Sequence, residues 1–103
     1  MEKVTYEQRK YVLSATESLR KKLYHKFPMS ELERELLCTL LVAAIEDHDT
    51  NVADQILYLG IVGKLWEQLP IAEYERLMML SLVEGSILHA KSVIGRHKAK
   101  YAN

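Results

Sequence analysis

The chain has 103 residues, 49% hydrophobic and 27% charged, and its 14 Lys and Arg balance 14 Asp and Glu to a formal net charge of zero. These values exclude disordered and collagen-like classes and predict one core in one domain spanning residues 1–103. The lone cysteine, Cys38, cannot form an intramolecular disulfide, so the chain needs no oxidising compartment.

Thr5 and Gln8 have the spacing of a capping box, which predicts a first helix over about residues 6–27. Val12, Ala15, Thr16, Leu19, Leu23 and Phe27 recur along it at three- and four-residue steps, and Pro28 stops it. Ser30 and Glu33 form a second capping box, opening a helix over about 31–47. Nine of the ten residues 36–45 are apolar, so this helix is expected to sit at the centre with the other three around it. Cys38 lies in that run and reads as a small core residue.

The polar break at Glu46, Asp47, His48, Asp49, Thr50 and Asn51 precedes a third helix, expected over about 52–69. Its buried side is expected to carry Ile56, Leu59, Val62, Leu65, Trp66 and Leu69. Gly60 and Gly63 each cost a helix interior about 1 kcal/mol relative to alanine, which suggests that a neighbouring backbone comes close. Pro70 suits the first turn of a fourth helix over about 71–98. That helix has two stripes: Leu80, Val83, Ile87, Ala90 and Ile94 on one, and Tyr74, Met78, Ser81, Gly85, Leu88, Ser92 and Gly95 on the other. The second is rich in small residues and is the expected partner-binding face, best explained by a homodimer. A helix this long would overhang a compact chain unless Gly85 kinked it or its end met a partner.

The expected fold is therefore all-α, a compact bundle of about four helices. No stretch of the N-terminus has a secretory h-region and no unbroken apolar run approaches membrane-span length, so the expected location is cytoplasmic with no membrane partner.

Charge is unevenly spread: seven Lys or Arg face three acids over residues 1–27, and four face none over 91–103, so each end is +4 and the segment between is −8. Lys3, Arg9, Lys10, Arg96, Lys98 and Lys100 would gather at one pole of the bundle and support a nucleic-acid-associated regulator as the alternative function. Cations at helix C-termini also complement the helix dipole, and the acids at 31–35 and 46–49 would lie beside them.

Catalytic patterns are lacking. Glu46, Asp47, His48 and Asp49 are consecutive and cannot all face one ion. The pair His48-Asp49 resembles that of the helical HD phosphohydrolases, but the resemblance implies a distant aspartate, the last aspartate is Asp54, and the likeness ends at the dipeptide. There is no phosphate loop or nucleophile elbow, and pairs of acids such as Glu73 and Glu75 do not share a helical face. Neither metal nor cofactor is expected. Six tyrosines against one phenylalanine point instead to recognition surfaces. The reading is a small non-enzymatic protein–protein interaction or regulatory module, acting as a homodimer on a protein partner.

Overall fold

The computed structural model describes residues 5–101, with side chains through Arg96. Local chemistry sets the start of each helix. Thr5 caps α1 (Tyr6–His25): its hydroxyl accepts the Gln8 N–H at 3.1 Å, and the Gln8 side chain accepts the Thr5 N–H at 2.8 Å. Ser30 and Glu33 repeat the arrangement at α2 (Glu31–Glu46), at 3.2 and 2.8 Å. Asn51 caps α3 (Val52–Glu67) by accepting the Asp54 N–H at 2.8 Å. At α4 (Glu73–Tyr101), the Glu75 carboxylate reaches back to the Ala72 N–H at 2.9 Å. Pro70 thus lies in the preceding connection rather than in the first turn of α4.

Two of the helices end in left-handed residues. Lys26 (φ 59°) and Gln68 (φ 58°) close α1 and α3, with the next N–H, of Phe27 and Leu69, donating back to the carbonyls of Lys22 and Lys64. For this reason α1 stops at His25 and not at residue 27.

The described residues form an all-α arrangement of four helices. Helix α1 packs along α4 and α3 along α2, and the two pairs meet mainly through α2 against α4. The first pair is antiparallel, because Arg76 at the start of α4 donates to the Leu23 carbonyl near the end of α1 at 2.8 Å. The second is a hairpin whose turn is tied by Gln55 donating to the Ile45 carbonyl at 2.7 Å. Every helix feeds the core: Leu19 and Leu23, Leu37 and Leu41, Ile61 and Leu65, then Met79, Val83 and Ile87. Each such burial contributes about 1.5–3 kcal/mol.

Two expectations are corrected here. Helix α2 is not enclosed: of residues 36–45 only Leu37 and Leu41 are buried, Val42 and Ala43 are exposed, and so is Leu32 one turn earlier. The pairing of helices explains this, since α3 covers one flank of α2, α4 another, and nothing covers the third. Helix α3 faces the core with Ile61 and Leu65, while Ile56, Leu59, Trp66 and Leu69 point to solvent and Val62 is half-buried. Helix α4 runs unbroken through Gly85 for 29 residues, about 43 Å at 1.5 Å per residue, and accounts for most of the 49 Å long dimension.

Candidate interaction surface

The exposed side of α3 is the most unusual surface among the described residues. Val52, Ala53, Ile56, Leu57, Leu59, Gly60, Gly63, Trp66 and Glu67 are exposed, and only Glu67, at the last position, is charged. Val52 keeps 69% of its surface in solvent, Ile56 65%, Leu59 62% and Trp66 79%. At 100° per residue the row Val52, Ile56, Leu59, Gly63 and Trp66 lies about 150° round the helix from the Ile61–Leu65 side. Soluble surfaces carry scattered apolar residues without consequence, but a contiguous apolar row is the mark of an interaction site.

The glycines sharpen this. A Cβ built on Gly60 or Gly63 would meet nothing within 4 Å, so the expected close neighbour is not supplied by this chain. Neither glycine has a positive φ that would require it.

Trp66 also borders two hollows at the α2–α3 seam. One of about 170 Å³ is lined by Arg34, Cys38, Leu65, Trp66 and Gln68, the other by Glu35, Cys38, Thr39, Val42 and Trp66. Cys38 is half-buried there against the core, and burial pushes its thiol upward from its ordinary value, which favours the protonated form.

The stripe expected on α4 splits in two. Tyr74, Leu88 and Ser92 are exposed, whereas Met78 is half-buried against the core. Ser81 and Gly85 line an open groove of about 710 Å³ between all four helices, with Thr16, Leu40, Tyr58 and His89 among its other walls. A Cβ on Gly85 would likewise meet nothing within 4 Å. The segment Glu73–Arg96 is long and apolar enough to cross a membrane by length and composition, with 17% of its most apolar window buried. Glu84, His89 and Lys91 interrupt it, and each charged group at mid-membrane costs about 2.5–3.5 kcal/mol.

For the nucleic-acid alternative, the antiparallel α1–α4 pair brings Arg9 and Lys10 to the same end as Arg96. Lys3 lies outside the described residues, as do the side chains of Lys98 and Lys100. Arg9 is half-buried with its Nε enclosed and unbonded, Lys10 sits over the Tyr6 ring at 5.4 Å from its centroid, and Arg96 is exposed. At the opposite end the cations meet acids: Lys22 with Glu33 at 2.5 Å and Lys26 with Glu73 at 3.7 Å. Burial works to raise Glu33, but the Lys22 ammonium and the Ser30 donors outweigh it and hold the carboxyl below its ordinary value.

The acidic turn after α2 is built as a local cap, with Asp47 Oδ1 accepting the Asp49 N–H at 2.9 Å. His48 is exposed, and no group of three or more His, Cys, Asp or Glu converges on one point among the described residues.

The outward face of α3 was hidden in the sequence because its residues fitted a core assignment equally well. Two signals mark it: the 4-3-4-3 spacing of 52, 56, 59, 63 and 66, and a helix with only Asp54, Lys64 and Glu67 charged. No protein-family model, curated protein or solved structure matches the chain.

Proposed function

We propose that this protein is a small non-enzymatic protein–protein interaction or regulatory module that works as a homodimer. The observation carrying the reading is the uncharged, apolar outward row of α3, Val52, Ile56, Leu59 and Trp66. Exposed, these side chains forgo the stabilisation that core burial gives, and a folded partner restores it. The exposed Tyr74, Leu77 and Leu88 on α4 offer a second, smaller face for a heterologous protein. Light scattering of the full chain over a concentration series tests the reading. A mass of two 11.9 kDa chains is expected, and a mass of one chain throughout would remove the homodimer.

The second reading, a nucleic-acid-associated regulator, rests on the shared pole of Arg9, Lys10 and Arg96. It requires binding to a random duplex that weakens steeply as salt rises, since each phosphate neutralised releases counterions. Absence of such binding at low salt removes it.

A further inference from the structure

We infer that two copies of this chain pair through the outward face of α3, the two helices lying antiparallel across a two-fold axis at Leu59. The inference rests on the homodimer proposed above and adds its face and register.

The row Val52, Ile56, Leu59, Gly63 and Trp66 has the alternating four- and three-residue steps of a coiled-coil seam, and it is exposed along its whole length. A two-fold interface is self-complementary, so the row has to fit its own reverse. Turned antiparallel about Leu59, Val52 of one copy lies opposite Trp66 of the other, and Ile56 lies opposite Gly63. Trp66, the bulkiest side chain of the row, then meets Val52, smaller than Ile56 or Leu59, and Ile56 enters a gap at Gly63 that Gly63's own chain leaves open within 4 Å. A parallel pairing sets Trp66 against Trp66 and Gly63 against Gly63, a crowded layer beside an empty one. Antiparallel alignment also opposes the two helix dipoles.

Area and charge point to the same occupant. At their fractional exposures Val52, Ile56, Leu59 and Trp66, with Val42 beside Trp66, present most of the about 800 Å² per partner of a standard stable interface. The row carries no charge that pairing would strand without a partner. Glu35 and Glu67 stand beside it, Lys64 is paired with Glu75, and Arg34 donates to the Met29 carbonyl at 3.2 Å. Arg34 beside Trp66 keeps its charge, but one cation among these acids is a poor match for an anionic lipid surface or a nucleic acid.

Engineered cysteines in a Cys38→Ser background test the register, alongside light scattering of the full chain. Leu59→Cys should oxidise to a covalent dimer. Ile56→Cys alone should not, but a mixture of Ile56→Cys and Gly63→Cys chains should cross-link to each other. Ile56→Glu and Trp66→Glu replace residues exposed in the single chain. They should leave its helical circular dichroism intact and weaken dimerisation by about a hundredfold or more. Self-cross-linking of Ile56→Cys in preference to the mixture overturns the antiparallel register. A two-chain mass that survives Ile56→Glu, with no cross-link from Leu59→Cys, overturns this interface and leaves the homodimer standing on another face. A one-chain mass for the unaltered protein at every concentration overturns both, and leaves the α3 row to a helix of some other protein.

Discussion

Lys64 near the end of α3 and Glu75 in the first turn of α4 meet at 2.6 Å, with Glu75 only 4% exposed. The same carboxylate accepts the Ala72 N–H, so one side chain both caps α4 and fastens α3 to it. The Lys64 contact holds the Glu75 carboxyl below its ordinary value against the opposing effect of burial, and the same contact raises Lys64. Glu75→Gln should destabilise the fold by about 1–2 kcal/mol, less than the loss of a fully buried pair because Lys64 can turn to water. Glu75→Ala should cost more, since Ala72 also loses its acceptor. Urea denaturation of the three proteins checks the order; equal midpoints for Glu75→Gln and the parent would refute it.

Acid should act through the same group. Both Glu75 and Glu33 are lowered from 4.5 in the folded chain, so the unfolded chain binds protons first as pH falls. Their stabilisation is present above about pH 4.5 and is lost as pH drops through the folded values. Stability measured from pH 6 to about 2 should therefore fall below pH 4.5, and the fall should be shallower in Glu75→Gln. An identical slope in the variant would show that Glu75 is not among the titrating groups.

Gln68 ends α3 with φ 58°, a conformation that costs a residue with a Cβ about 1 kcal/mol and glycine almost nothing. Gln68→Gly should thus raise stability by about 0.5–1 kcal/mol, read as a higher urea midpoint with unchanged slope. A lower midpoint would mean that the Gln68 side chain supplies more than its strain removes.

Gly63 separates the needs of one chain from those of two. Nothing in the chain crowds a methyl group there, so Gly63→Ala should stabilise dilute, unpaired protein by about 0.5–1 kcal/mol through helix propensity. In the antiparallel pair the methyl fills the space that Ile56 of the other copy enters, so self-association should weaken. Thermal melts in dilute protein and sedimentation at high concentration should move in opposite directions; movement in the same direction would refute the packing assigned to this glycine.

What could be read from sequence was what depends on near neighbours. Thr5 with Gln8 and Ser30 with Glu33 each settle a helix start within four residues, and both boxes are present. The Val83–Ile87 side of α4 is distinguished from its polar flanks, and it does face the core. Helix α3 offers no such contrast: Ile61 and Leu65 on one side and Ile56, Leu59 and Trp66 on the other are equally apolar. Periodicity finds a stripe but cannot choose between two of equal strength, and the expected buried side, which joins Ile56, Leu59 and Trp66 to Leu65, draws on both. The choice is made by α2, which takes the Ile61–Leu65 side. Likewise the bond from Arg76 to the Leu23 carbonyl joins residues 53 apart and follows only from the antiparallel packing of α1 on α4.

Trp66 is the only tryptophan in the chain, and it stands almost bare on α3. The chain therefore carries its own optical reporter at the surface in question. An unpaired molecule should fluoresce like indole in water, at long wavelength and open to iodide quenching. Any occupant of the row, whether a second copy or another helix, should shift the emission to the blue and shield it. Dilution alone, without a label or an engineered residue, can then show whether this helix spends its time covered or bare.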